Sequence, residues 1–522
     1  MKKSLIIACI AMGILSCGSS QQTVPITEKI VEIDPTVYGN TITADELKTM
    51  LYTFASDEFE GRDTGSKGQK MAVEYLKQHY VALGIPSPIS EGDYFQEVPL
   101  LNQKSPETSI TVNGAAFENY TDLVTSGSAA TQTINASDIV YAGYGIEDDN
   151  YSSYIGVDVK DKIVLIKVGE PKNADGTYVT SGTKEDTKWS VGRQALGSKR
   201  EVAKQKGVKA VLYMDDAYLK MASNYMQAAA KSGRDSRIGL KDKQDVMVQV
   251  LISNKLGKAL LADIETNDIS KNLKANVEIK ITSNSEDVNS ENVVAFIKGS
   301  EKPDEVLVIS AHLDHEGIKD GEIYNGADDD GSGSVAILEI AEAFRIAQKA
   351  GHGPKRSILF LHVTGEEKGL LGSSYYTDVD PIFPLENTIA NLNIDMIGRI
   401  DPKRKGDRNY VYLIGSDKLS QELHNVSEEV NKKYANVTLD YTFNADNDPN
   451  RFYYRSDHYN FAKNNVPVIF YFNGTHDDYH KASDTPDKIE YDLLENRTRL
   501  VFYTAWELAN RDERVALDKP IE

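Results

Sequence analysis

Seven acids and histidines stand at the ends of apolar runs or in the turn between them. His312 and Asp314 follow EVLVISA, Glu366 and Glu367 follow SILFLHVTG, Asp395 follows NLNI, His480 lies in DDYHKASDT soon after VPVIFYF, and Asp329 lies in YNGADDDGSGS. Two imidazoles (His312, His480) and three carboxylates (Asp329, Glu367, Asp395) are the nitrogen and oxygen donors of catalytic zinc. Asp329 can bridge two ions, which leaves His312 with Asp395 on one and Glu367 with His480 on the other. Three carboxylates, two divalent cations and one bridging hydroxide sum to zero charge, whereas three unpaired buried carboxylates would be costly. Ions about 3.5–4 Å apart clamp an attacking oxygen and a substrate carbonyl together.

Two acids remain. Asp314 stands two residues from His312, so on a strand the two share a face and Asp314 is expected to orient the imidazole. Glu366 adjoins the ligand Glu367 and is free to be the general base, as the Glu of H-E-x-x-H works without ligating. Taken singly these signals are ordinary: AHLDH reads equally as a polar loop, GEE is common at turns, and a lone His480 is more often structural. Asp328, Asp329 and Asp330 in a row also fit a solvated, capped helix start. The five ligand types falling in order at strand ends make the metal reading the stronger one. Asp329 is then the bridge, Asp328 and Asp330 serve as capping or supporting groups, the glycines allow close backbone approach, and Ser332 helps start the helix.

The elements that must position these groups alternate. ENVVAFIKG, DEVLVISAHLDHEG, RSILFLHVTGEE, IANLNIDMIG and VPVIFYFNG read as buried strands of a mostly parallel sheet. SVAILEIAEAFRIAQKAG puts Ile337, Ile340, Ala341, Phe344 and Ala347 on one helical face, and DLLENRTRLVFYTAWELAN closes the chain as an amphipathic helix. Upstream, a helix begins after Thr43 as N-cap, and a second ends at Gly84. Between them EFEGRDTGSKG is a glycine-punctuated loop. From about 125 to 290 short β-rich runs (SDIVYAGYGI, DKIVLIKV, VKAVLYM, VMVQVLIS) alternate with REVAKQKG, a small α/β or sandwich module. In parallel sheets the strand ends converge on one crevice, where the seven residues would meet.

AHLDH, GADDDGSG, GEEKGLLGS, NIDMIG and YHKASDT together resemble the co-catalytic di-zinc aminopeptidases, relatives of bacterial leucyl aminopeptidases and glutamate carboxypeptidase II, over about 290–510. EFEGRDTGS is similar to that family's lead-in, and 130–285 resembles an inserted protease-associated (PA) domain. The resemblance implies an α/β fold, phosphorylase/hydrolase-like, with a mixed, mostly parallel sheet, helices on both faces and an added PA-type β-rich domain. It implies two Zn2+ per chain on His312, Asp329, Glu367, Asp395 and His480, with Glu366 as base, Asp314 behind the site and Tyr479 as donor to the tetrahedral oxyanion. YRSDHYNF resembles a substrate-side loop in which Arg455 helps position the substrate's amino end; His458 reads as structural and His315 as an exposed neighbour without a role. The implied activity is hydrolysis of the N-terminal peptide bond of peptides or proteins with a free N-terminus. The alternatives are a carboxypeptidase or dipeptidase, a glutaminyl-cyclase-like enzyme using one zinc, and a receptor-like binder without a working metal site.

The 522 residues carry a formal charge of −21, which argues against a nucleic-acid partner. The first residues, MKKSLIIACIAMGILSCGSSQQ, read as a lipoprotein signal over 1–16, with Cys17 lipidated and 17–42 a polar tether. Cys9 leaves with that signal, so no disulfide is expected from the two cysteines. The expected organisation is then the N-terminal part of the peptidase domain over 43–125, the PA insert over 130–285 and the zinc peptidase domain over 288–515. The expected location is an exported protein anchored by lipid to a bacterial envelope membrane, periplasmic or at the cell surface.

Overall fold

The computed structural model describes residues 33–125, 129–232, 234–241 and 247–521. The signal segment 1–16, Cys17 and most of the 17–42 tether lie outside the described residues. Thr43 caps the helix Ala44–Phe54: its hydroxyl accepts the Glu46 N–H and donates to the Glu46 carboxylate, a reciprocal cap. That helix buries Leu47, Leu51 and Phe54. Gly84, at φ 69°, ends the helix Lys67–Leu83 in the left-handed conformation that glycine adopts without penalty. Packing begins before residue 43. The short helix Thr36–Gly39 stacks Tyr38 on Trp506 at 5.5 Å, and Arg499 donates to the carbonyls of Gly39 and Ile42. The last tether residues therefore belong to the folded unit.

Nine strands form the main sheet, in the order Ser236–Leu240, Phe95–Lys104, Glu286–Ile297, Arg356–Val363, Lys302–His312, Thr388–Ile394, Val468–Phe472, Tyr410–Ile414, Thr438–Asp440. The four strands from Arg356–Val363 to Val468–Phe472 run parallel. Outside them, pairing is antiparallel except between Tyr410–Ile414 and Thr438–Asp440. Only half the pairings are parallel, which corrects the mostly parallel sheet expected from the apolar runs. A continuous apolar run reports that both faces are covered and does not report strand direction. Helices cover both faces. Tyr376 and Phe461 pack on Val306, Val308, Leu359 and Leu361, while Phe360 on the opposite face meets Tyr80 at 6.2 Å. Helix Gly333–Lys349 buries Ile337, Ile340, Ala341, Phe344 and Ala347 as its periodicity predicts.

Strands of a second sheet begin at Glu107, before residue 130. Only Ser105 and Pro106 separate the main-sheet strand Phe95–Lys104 from Glu107–Val112 of the second sheet, too short a join to mark a composition change. Its eight strands include the parallel set Gln132–Tyr141, Ile163–Lys167, Ala210–Met214 and Val248–Ile252, with helices Gly192–Gln205, Asp216–Lys231 and Asn254–Leu260. Apolar residues pack on both of its faces, so it is an α/β layer and not a sandwich. Strand Ser236–Leu240 leaves it to pair with Phe95–Lys104 at the edge of the main sheet.

Candidate metal centre

The parallel central strands end at one edge of the sheet, and their following residues carry the donors. Lys302–His312 ends in His312, Arg356–Val363 leads to Glu366 and Glu367, Thr388–Ile394 leads to Asp395, and Val468–Phe472 leads toward His480. Asp329 enters from the turn Ala327–Ser332 ahead of the helix Gly333–Lys349. His312 Nε2 lies 3.1 Å from Asp329 Oδ1 and 3.6 Å from Asp395 Oδ1. His480 Nε2 lies 3.1 Å from Asp329 Oδ2 and 3.3 Å from Glu367 Oε2. Asp329 thus faces one pair through each carboxylate oxygen, and the two pairs are those read from the sequence.

A ring of buried acids holds this arrangement. Asp330 accepts the N–H groups of His312, Gly333 and Met396, tying the strand end, the helix start and the loop after Asp395 together. Asp328 accepts the Gly398 N–H and faces His476 Nε2 at 3.2 Å. Asp484 accepts the N–H groups of Asp328 and Asp329, and the Ser456 hydroxyl donates to Asp395 Oδ2 at 2.6 Å. Beneath them the fully buried Arg62 donates to the carbonyls of Phe54, Leu313, Asn325 and Gly326. Burial lowers the Arg62 pKa to about 10 even with four aspartates nearby.

Three expectations change. Asp314 does not orient His312 through its carboxylate. The ring Nδ1 meets the Asp314 backbone carbonyl at 2.9 Å, while carboxylate Oδ1 stands 4.0 Å away and accepts the Glu366 N–H instead. Side chains two apart share a face only while the strand continues, and the strand ends at His312. Ser332 does not cap the helix; its hydroxyl donates to the Asp328 carbonyl and accepts the Ile397 N–H, and Asp330 takes the Gly333 N–H. His315 is not exposed. It is fully buried, with Nδ1 2.9 Å from Glu367 Oε1.

The donor atoms fit divalent cations. His312 Nε2, Asp329 Oδ2 and Glu367 Oε1 are buried with no hydrogen-bond partner, although they crowd together. Burial and neighbouring acids push Glu366 and Asp330 well above the usual carboxylate range. His315, Asp329 and Glu367, and likewise Glu316, Glu367 and His480, form further groups with ligand-like spacing. Glu316 is also held by Lys319 and faces the far nitrogen of His480, Nδ1, at 3.6 Å, where it can fix that ring.

Residues 292–505 match the profile of peptidase family M28. This segment is similar to the M28 peptidases. A probable glutamate carboxypeptidase of Arthroderma benhamiae is 38% identical over 105 residues, covering 20% of this chain and 14% of that protein. A probable leucine aminopeptidase 2 of Aspergillus oryzae is 28% identical over 264 residues, covering 51% of this chain and 42% of that protein. A zinc aminopeptidase from Bacillus subtilis aligns structurally at 19% identity with a TM-score of 0.46, over 90% of this chain and 96% of that one. The chain spans less than half the length of either curated relative.

Beside these side chains lies a cleft lined by Glu366, Asp395, Met396, Phe452, Phe470, Phe472, Thr475, Tyr479 and Arg455. Tyr479 stacks on His480 at 3.9 Å, and its hydroxyl stands 3.5 Å from the exposed Arg455 guanidinium. Burial, then the charges of Asp329, Glu367 and Asp395, raise the Tyr479 pKa, so the hydroxyl stays a donor. His458 is buried and stacked on Phe470 at 4.7 Å, as a structural histidine. Among the described residues, none of the ligand-like groups draws on 107–282. Sequence reasoning missed Arg62, Thr64, His476 and Asp484; the signal for the first two was EFEGRDTGS, whose arginine and threonine reach the centre from a distant loop.

Proposed function

We propose that the chain is a two-zinc aminopeptidase that removes N-terminal residues, with His312 and Asp395 holding one ion, Glu367 and His480 the other, and Asp329 both. The observation that carries this reading is the split of Asp329, one oxygen 3.1 Å from each imidazole, among buried donor atoms that have no other partner. When bound, the ions supply Lewis acidity and lower the pKa of water. The chain's own residues supply the rest. Glu366 takes a proton from the attacking water and returns it to the leaving amine. Asp314 fixes Glu366 by accepting its N–H at 3.1 Å. Tyr479 donates to the carbonyl oxygen as it becomes an oxyanion. The substrate's amino group sits by Glu366 and Asp395, and its first side chain enters the wall of Phe452, Phe470 and Phe472, which favours apolar residues.

One observation favours a second reading. The exposed Arg455 guanidinium at the cleft can pair with a substrate carboxylate, which suits a carboxypeptidase or dipeptidase, and one relative bears a carboxypeptidase name. A peptide panel separates the two. We expect zinc-dependent release from leucyl and other apolar aminoacyl substrates and none from their N-acetyl forms. Cleavage of N-acetyl peptides with a free C-terminus, lost on C-terminal amidation, would establish the second reading. The N-terminal sequence further supports export and lipid attachment at Cys17.

A further inference from the structure

The geometry points to His315 as a direct ligand of the ion that Glu367 and His480 hold, so that this ion takes four protein ligands and its neighbour three. The inference rests on the two-ion reading above. His315 is fully buried, and neither ring nitrogen has a hydrogen-bond partner. Nδ1 stands 2.9 Å from Glu367 Oε1 and 3.9 Å from Asp329 Oδ2. At 2.9 Å an aligned pair would be a hydrogen bond, yet His315 Nδ1 and Glu367 Oε1 both remain unpaired. Donor atoms sitting side by side without pointing at each other are adjacent ligands of one cation. Around tetrahedral zinc such edges run to about 3.3 Å, midway in the range seen.

The rings agree with this. The centroids of His315 and His480 are 5.7 Å apart and the planes cross at 76°. Two imidazoles on one tetrahedral ion place their centres about 5 Å apart. Glu367 offers Oε1 to His315 and Oε2 to His480, so both of its oxygens face the same space.

The ring's place is built into the fold. The His315 N–H donates to the Arg62 carbonyl, and the Arg62 guanidinium donates to the Gly326 carbonyl beside the ring. A Cβ on Gly326 would stand 2.5 Å from His315 Cγ, so the glycine leaves the room the imidazole fills. Rigid support of this kind keeps a ligand in place before the ion arrives. The consequence is inequality: the His315 ion is the tighter one, and the His312–Asp395 ion leaves first on chelation.

Zinc K-edge absorption fine structure on the two-zinc protein counts imidazoles. We expect three over two ions in the unaltered chain, and two over the remaining zinc and any reloaded zinc in His315→Ala. The variant should bind its tighter zinc more than about 100-fold more weakly, beyond the about 10–100-fold that loss of a merely supporting partner costs. Two zinc ions with only two imidazoles in the unaltered chain would overturn the inference and leave the two-ion reading standing. Uptake of fewer than two ions would overturn both. The spectrum of the unaltered chain decides the point even if His315→Ala does not fold.

Discussion

The backbone N–H of Glu366 donates to Oδ1 of Asp314 over 3.1 Å, and the Thr64 hydroxyl donates to Oδ2 of the same carboxylate over 2.7 Å. Asp314 is thereby a clamp between the Arg62 loop and the loop carrying the proposed base. His312 takes its Nδ1 partner from the Asp314 backbone, which a side-chain substitution leaves in place. Asp314→Asn should lower kcat about 10–100-fold with metal content unchanged. Metal loss in that variant would return Asp314 to the role of orienting His312.

Glu366 and Glu367 are neighbours with different tasks. Glu367 lies beside His315 at 2.9 Å and His480 at 3.3 Å, while Glu366 faces the cleft. Glu366→Gln should keep both metals and the fold and lower kcat about 10²–10⁴-fold, the usual worth of general acid–base catalysis. Glu367→Gln should lose metal. Reversed outcomes in paired metal and rate assays mean the two roles are exchanged.

Glu339 gives a pH dependence remote from the centre. It is 3% exposed and accepts the Thr43 N–H. Burial first, then Glu46, Glu342 and Glu495, push it from the ordinary 4.5 up to about 8. Between those values the folded chain keeps a proton that the unfolded chain has released. Stability therefore falls as pH rises through 4.5 to about 8, and the whole cost is present above that window. Glu339→Gln should raise Tm relative to the unaltered chain at pH 9 and much less at pH 4.5. An equal Tm difference at both pH values contradicts this.

Four of the five candidate donors were legible because each follows an apolar strand and the strand ends must meet, and Asp329 because it opens the turn before an apolar helix. His312, Asp329, Glu367, Asp395 and His480 come together with the pairing their order suggests. Thr43 and Gly84 cap their helices for local reasons that any sequence displays. What was illegible depends on tertiary placement. His315 stands in a polar stretch that reads as surface, yet the loop folds inward under Arg62. Asp484 and His476 reach Asp328 from residues about 150 positions away in sequence, with no local pattern to announce them. The return of Ser236–Leu240 to the main sheet is a long-range pairing between short, half-exposed runs.

Cys17 follows ILS after an apolar run, the arrangement of a lipidated first residue. Cys17→Ser should move the protein from the membrane fraction to the soluble fraction or leave it unprocessed. Unchanged membrane fractionation and unchanged incorporation of labelled lipid in the variant would refute lipid attachment there.

Metal stoichiometry of the purified protein, alongside Asp329→Ala, is the most direct test of the two-ion centre. Asp329 stands between both imidazoles, so its removal should take bound zinc from about two ions per chain toward one or none. Two ions retained in Asp329→Ala, or no more than one in the unaltered chain, would contradict the bridging centre.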